Sequence, residues 1–266
     1  MTETPATIAT RAPTPRVAPL AHLEWREATV ASAVVETTDA RSLVLAVPGW
    51  SGHVAGQHVD VRLTAPDGYQ ATRSYSLSSG PGEAPAITVQ EVEDGEVSVY
   101  LVRDIAVGDV IEVRGPIGGY FVWSGRPRPL LLVGGGSGLA PLRAMWRAAV
   151  PTAPVVVLAS VTTSGRLLYA SELADRARTG GSATIHLSRS AVPPDAVRAG
   201  TPLETLTLKS GRVDAASVQG SLTACGWPEA DPAVFVCGPT SFVEAVIDLL
   251  ADAGLDPRSV RAERFG

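Results

Sequence analysis

The stretch Leu130-Leu131-Leu132-Val133-Gly134-Gly135-Gly136-Ser137-Gly138-Leu139-Ala140-Pro141 joins an apolar run to a cluster of glycines and the start of a helical pattern. An apolar run that does not alternate with polar residues is the mark of a strand covered on both faces. Helical spacing follows over Leu139–Val150, with Pro141 in the first turn, where a missing N–H costs nothing. Glycines between a buried strand and a helix N-terminus let a dinucleotide pyrophosphate come close to the helix dipole. The spacing is G-x-G-x-x-P at Gly136, Gly138 and Pro141, a departure from the usual G-x-G-x-x-G. A glycine loop alone says little; strand, glycines and helix opening an α/β region say more.

Toward the C-terminus the same alternation continues. Pro154–Ser160 is apolar, Leu167–Arg178 is helical, and Thr184–Ser188, Ala233–Cys237 and Ser259–Glu263 read as strands. A strong helical pattern, Ser241–Ala253, lies between the last two. Strands alternating with helices predict a parallel sheet covered on both faces. Toward the N-terminus, across the Gly125-Arg126-Pro127-Arg128-Pro129 junction, the texture changes to short β-type runs. These are Thr29–Glu36, Ser42–Val47, His58–Leu63, Arg73–Leu77, Ala86–Glu93 and Val110–Arg114, separated by turns such as Asp67-Gly68 and Asp94-Gly95. Six short strands without a long amphipathic helix predict a small antiparallel barrel. Residues 1–22, with Pro5, Pro13, Pro15 and Pro19 among Ala and Thr, read as a disordered leader. The expected organisation is therefore a leader (1–22), an antiparallel β-barrel domain (23–126) and an α/β parallel-sheet domain (127–266).

Composition narrows the function classes. Of 266 residues, 45% are hydrophobic and 18% charged, which fits a large core and excludes a disordered chain. The net charge of −5 argues against nucleic acid as a partner. The charge is split: 15 acidic against 9 basic residues up to Arg126, and 12 against 13 beyond it. An arginine-bearing second half hints at an anion bound there. Cys225 and Cys237 cannot hold an iron–sulfur cluster or a zinc tetrahedron, and make no disulfide framework. No eighteen apolar residues run together, so the expectation is a cytoplasmic protein with no membrane partner. His22, His53, His58 and His186 lack metal-ligand spacing and read as packed or solvated, so no metal is expected.

Three further strings carry candidate chemistry. In Arg73-Ser74-Tyr75-Ser76-Leu77-Ser78-Ser79, Arg73 and Tyr75 share a strand face: a cationic fork for phosphate beside an aromatic ring. A flavin nucleotide would use that pairing, although a solvated Arg and a packed Tyr would read alike. Gly95-Glu96-Val97-Ser98-Val99-Tyr100-Leu101 places a hydroxyl at a helix start, either for a phosphate or as an ordinary cap. Cys237-Gly238-Pro239 ends an apolar strand, at the edge of a parallel sheet where ligands bind, or else Cys237 is a buried structural residue.

Taken in order, R-x-Y-S-x-x-S, G-x-x-S-x-x-L, G-P-x-G at Gly115–Gly118, G-x-G-x-x-P, C-G-P and the terminal Glu263-Arg264-Phe265-Gly266 resemble the ferredoxin–NADP reductase superfamily, over about Leu23 to Gly266. Stand-alone bacterial ferredoxin-reductase-type proteins end in the same E-R-F-G. Gly52-His53-Val54-Ala55-Gly56-Gln57-His58-Val59-Asp60 is similar to that subgroup's second barrel strand. The resemblance implies an FAD-binding barrel followed by a nicotinamide-binding domain. It implies flavin contacts from Arg73, Ser74, Tyr75, Ser76, Val89, Gln90, Gly95, Val97 and Ser98, with Arg73 and Ser98 at the pyrophosphate. Phe265 would cover the flavin. Gly135, Gly136, Ser137, Gly138 and Pro141 would cradle the nicotinamide dinucleotide, with Cys237, Gly238 and Pro239 beside the nicotinamide. Ser76, Cys237 and Glu263 would form the polar group around the site of hydride transfer.

Ser188-Arg189, with Arg212, falls where the ribose 2′ position is read, and favours the phosphate of NADPH over the hydroxyl of NADH. Thr162-Thr163 stands where an arginine often follows the second strand in this subgroup, and NADH-using relatives carry a similar Thr-Arg pair, so both nucleotides stay open. The activity expected is hydride uptake from NADPH or NADH and release of single electrons to a separate ferredoxin-like or haem protein, feeding an oxygenase. A reductase of free flavin or another small acceptor, and a non-catalytic flavin-binding regulatory subunit, are the alternatives. A monomer or weak dimer is expected.

Overall fold

The computed structural model describes residues 23–192 and 202–265. The expected leader, residues 1–22, lies outside the described residues. Six antiparallel strands come first: β1 (Arg26–Thr37), β2 (Ala40–Ala46), β3 (His58–Thr64), β4 (Gln70–Ser76), β5 (Ala86–Gln90) and β6 (Val110–Ile117). They pair in the order β4-β3-β6-β1-β2-β5. A single bridge between Leu77 and Ile87 joins the two outer strands, so the sheet curls into a barrel. Its interior is filled by Val30, Leu43, Val59, Val61, Ile87, Val89 and Ile111. The short helix α1 (Glu96–Val99), continued by a π-turn over Tyr100–Asp104, plugs one end with Val97 and Leu101.

The second half is a parallel sheet of β7 (Leu130–Gly135), β8 (Val155–Val161), β9 (Ser182–Leu187), β10 (Thr207–Ser210), β11 (Ala233–Pro239) and β12 (Val260–Phe265). Its order is β10-β9-β8-β7-β11-β12. The helices are α2 (Leu139–Ala148), α3 (Ala170–Arg178), α4 (Ala215–Ala224) and α5 (Thr240–Asp252). Alternate residues of β7 serve two layers: Leu130 and Leu132 pack toward α2 and α3, Leu131 and Val133 toward α4 and α5. That is why the run is apolar at every position. The chain order reverses between β7 and β11, and at such a switch point the strand C-termini open a ligand crevice.

Differences from the sequence reading are local. The strand expected over Ala86–Glu93 stops at Gln90, because the Val92 N–H is taken by the Ser98 hydroxyl at 3.1 Å. The helix expected to Val150 stops at Ala148, since Pro151 disfavours helical geometry in the residue before it. The helix expected from Leu167 starts at Ala170. Tyr169 breaks it with left-handed backbone (φ 58°), while Leu167 and Leu168 are buried as anchors. Strand β10 and helix α4 were not anticipated.

The two halves share one core. Ala40, Ala55, Phe121 and Trp123 of the barrel side join the cluster between the sheet and α2. The Phe121 and Trp123 rings meet Phe235 of β11 edge-on at 5.4 and 6.1 Å. Arg147 adds an ion-pair bridge, reaching Glu83 of the barrel at 2.7 Å and Glu172 of α3 at 2.8 Å. Burial would raise the Glu172 pKa, but Arg147, Trp146 and Arg143 donate to it and hold it down to about 2. No described helix is long and apolar enough to cross a membrane.

Candidate active site

A cavity of about 750 Å³ lies between the halves. The barrel supplies Arg73, Ser74, Tyr75 and Ser76 from β4, Gln90 from the end of β5, and Gly95, Val97 and Ser98 around α1. The α/β half supplies Ser137, Pro141, Cys237, Glu263 and Phe265. Strand β4 pairs only with β3, and its other edge is unpaired up to Leu77. The cavity runs along that edge, which is how residues of both strand faces reach it. Tyr75 packs against the barrel core, and burial pushes its phenol pKa up to about 12, with Arg73 acting the other way. Arg73 is exposed, its Nη1 resting on the Thr72 carbonyl at 2.8 Å, so its fork is available to an anion.

Two of the barrel residues expected at the flavin are held in ways that limit what they could offer a ligand. Val89 is fully buried with its side chain in the barrel core, so it can offer a ligand only its backbone. The Ser98 hydroxyl accepts from the Val92 N–H and donates to the Gly95 carbonyl at 3.2 Å. In this arrangement the hydroxyl shapes the loop that borders the cavity. A Cβ on Gly95 would sit 2.4 Å from that hydroxyl, which fixes glycine at this position.

A second cavity, of about 530 Å³, opens over the C-terminal ends of β7, β8 and β9. Of the residues expected to hold the dinucleotide, Gly135, Gly136, Ser188, Arg189, Arg212 and Pro239 line it, whereas Ser137 and Pro141 line the first cavity instead, and Gln90 lines both. Gly138 and Gly238 touch neither; they permit the close packing that builds the crevice. A Cβ on Gly138 would meet the Cys237 carbonyl oxygen at 2.2 Å, and one on Gly238 the Phe242 ring at 2.6 Å. Arginines and hydroxyls stand in the lining of the second cavity with no carboxylate among the described residues there, which suits a polyanionic ligand.

Cys237 and Glu263 are opposite partners in the parallel register of β11 and β12. Burial pushes the Cys237 thiol up, and the Glu263 charge adds to it, so the thiol stays neutral. Burial raises the Glu263 pKa too, and its Oε2 is a buried oxygen with no partner among the described residues. An unsatisfied buried carboxyl oxygen beside a cavity marks a place for a ligand group. Sequence reading missed His58, Thr88 and Arg264 of the first cavity and Ser160, Arg166 and Ser241 of the second. His58 and Arg264 stand in strings that carry the resemblance but give them no role, the other four lie outside any short motif, and only the long-range pairing of strands collects all six. His53 and His186 are structural: His53 Nε2 donates to the Ser79 carbonyl at 2.9 Å, and His186 Nε2 bonds the Ser217 hydroxyl at 2.8 Å.

Such a barrel and parallel sheet, meeting at a glycine-built crevice, define a flavin- and nicotinamide-binding domain pair. The oxidoreductase FAD-binding domain family model matches residues 27–122, and the oxidoreductase NAD-binding domain model matches residues 132–248. The chain belongs to the ferredoxin–NADP reductase superfamily.

The ferredoxin reductase component of a 3-ketosteroid-9-alpha-monooxygenase from Mycobacterium tuberculosis is 33% identical over 251 residues, covering 90% of this chain. This chain spans 65% of that relative's length. A flavohemoprotein of Bacillus subtilis is 27% identical, over 80% of this chain and 51% of its own length. Among solved structures, an Amycolatopsis cytochrome P450 reductase superposes with a TM-score of 0.75 at 24% identity, over 91% of this chain and 70% of that one. A Neisseria gonorrhoeae ferredoxin NADP+ reductase with bound FAD and NADP gives 0.72 at 19%, over 90% and 98%. At these identities the structures speak for the fold.

Proposed function

We propose that the protein is an FAD-dependent reductase that takes hydride from NADPH, in preference to NADH, and passes single electrons to a separate ferredoxin-like or haem carrier serving an oxygenase. The observation that carries this reading is the meeting of the two cavities at Gln90, with Ser76, Cys237 and Glu263 gathered in the first. The unpaired β4 edge, the Arg73 fork and the orphaned Glu263 oxygen fit a flavin nucleotide; the glycine contacts at Gly135 and Gly138 fit a dinucleotide. When bound, FAD supplies an acceptor that takes two electrons together and returns them one at a time.

The chain's own residues position and exclude. Arg73 would neutralise the flavin pyrophosphate, and Tyr75 would present its ring as a fixed apolar wall. Gly138, by letting α2 approach the Cys237 carbonyl, keeps the nicotinamide crevice narrow. Cys237, as a neutral thiol, would stand beside the bound nicotinamide without offering a competing nucleophile. Glu263, with its raised pKa, can hold a proton near the reacting groups above the pH at which an exposed carboxyl would lose it. Phe265, 38% exposed at the end of β12, would cover the flavin. Support for the carrier comes from the relatives named as ferredoxin reductase components of a monooxygenase.

Purified protein should be yellow, and its flavin band should bleach faster under anaerobic titration with NADPH than with NADH. Colourless protein that takes up no added FAD would refute the assignment. A bound flavin that neither nucleotide bleaches would indicate a regulatory subunit. Efficient turnover of free flavin with no gain from ferredoxin would indicate the small-acceptor reductase instead.

A further inference from the structure

The second cavity carries three arginines, and sequence reasoning placed only two of them there. Arg189 follows β9 and Arg212 follows β10. The third, Arg166, comes from a different place: the short 3₁₀ turn Ser164–Arg166 after β8. That turn is rigidly mounted. The Arg166 N–H bonds the Thr163 carbonyl at 3.1 Å and the Leu167 N–H bonds the Ser164 carbonyl at 3.2 Å, while Leu167 and Leu168 are buried behind it. An arginine carried on a pinned turn loses less freedom on binding than one on a loose loop.

Its surroundings are equally specific. The Arg166 Nη2 lies 3.3 Å from Asp39 Oδ2, a carboxylate of the barrel's β1–β2 turn. The same oxygen accepts from Gln90 Nε2 at 3.1 Å, and Oδ1 accepts from the Thr37 hydroxyl at 2.8 Å. Asp39 is thus already satisfied without Arg166, and the ion pair is long. Half of the Arg166 side chain remains exposed. A guanidinium has five donors, so one distant oxygen leaves most of its fork free toward a cavity with no carboxylate among its described lining residues.

We propose that Arg166 is a phosphate-binding residue of the dinucleotide cavity, a third cation beside Arg189 and Arg212, aimed from the barrel side by Asp39. This rests on the nucleotide reading given above for that cavity. The chemistry recognised is a phosphate of the nicotinamide dinucleotide, either the ribose 2′-phosphate or the pyrophosphate.

The test is calorimetric binding of 2′,5′-ADP and of 5′-ADP to the FAD-loaded protein, unmodified and carrying Arg166→Ala or Asp39→Asn, with FAD content confirming each fold. Arg166→Ala should weaken 2′,5′-ADP by about ten- to a hundredfold, the loss expected for one charge-assisted contact. Loss confined to 2′,5′-ADP assigns the 2′-phosphate; equal loss for both ligands assigns the pyrophosphate side. Asp39→Asn keeps the guanidinium and should keep 2′,5′-ADP affinity within roughly threefold, because aiming is worth less than the contact. If both variants lose affinity equally, Arg166 acts only as a tie between domains and the proposal fails. It fails also if Arg166→Ala binds both ligands like the unmodified protein. Should the unmodified protein bind neither ligand, the nucleotide reading of the cavity falls first.

Discussion

Cys237 and Glu263 face each other across the last two strands of the parallel sheet, a buried thiol beside a half-buried carboxyl at the C-terminal edge. Both have their charged forms disfavoured by burial. Holding its proton longer than an exposed carboxyl, Glu263 would repel an anionic ligand less. The same burial makes each group give up its proton less readily than an exposed one, and the consequences can be measured.

Replacing Cys237 by Ala should slow bleaching of the flavin by NADPH by roughly ten- to a hundredfold, as loss of positioning does. FAD content should stay the same, since the FAD-facing residues lie mainly on the barrel. Stopped-flow absorbance under anaerobic conditions provides the rate. An unchanged rate would remove Cys237 from the site.

Glu263→Gln should show an opposite sign for stability and for turnover. The native carboxyl has a raised pKa, so the folded state binds more protons than the unfolded state between the two pKa values. Stability contributed by this group is therefore present at low pH and falls as pH rises through that interval. The amide removes the penalty: its Tm should exceed that of the unmodified protein at pH 8, and the difference should vanish toward pH 4. Flavin reduction by NADPH should nonetheless be slower. Thermal melts at several pH values and anaerobic kinetics decide the two halves separately.

Gly138→Ala would place a methyl 2.2 Å from the Cys237 carbonyl. Backbone cannot yield as a side chain can, so the end of β11 must shift, at a cost of about 1–3 kcal/mol. The expected result is a lower Tm and a raised KM for NADPH, with FAD content nearly unchanged. Gly165→Ala, where a Cβ meets nothing within 4 Å, is the matched control.

Arg73→Ala should act on the other ligand. Losing charge-assisted contacts of about 1.5–3 kcal/mol would weaken FAD by roughly ten- to a hundredfold. The protein should purify with substoichiometric flavin, restored by excess FAD. An Arg73→Ala protein that keeps a full complement through dialysis would place the pyrophosphate elsewhere.

The barrel strands were legible because turn residues punctuate them and their inward positions are β-branched. The β7 run was legible because a strand buried on both faces has no polar alternation. What escaped detection lacked a local signal. Strand β10 has four residues at the sheet edge, and helix α4 carries Gly220 and three serines or threonines, so no clean apolar stripe marks it. At the site, many motif residues line one of the cavities, whereas Gly138, Gly238 and Val89 line neither and the Ser98 hydroxyl is engaged within its own loop. Arg166, His58 and Thr88 became visible only once β3, β5 and β8 had been brought together. A motif records what one segment must do, whereas a cavity also recruits bystanders that no segment announces.

The aromatic contact of Phe121 and Trp123 with Phe235 has a further consequence for how such a protein can be rebuilt. The seam between the halves is part of a core, so its two sides have to be inherited as a matched set. A chimera that takes its barrel from one relative and its sheet from another should fold poorly when spliced at the 126/127 junction alone. It should recover when the donor of the sheet also supplies the residues at 121 and 123. Modularity in this chain ends at those rings.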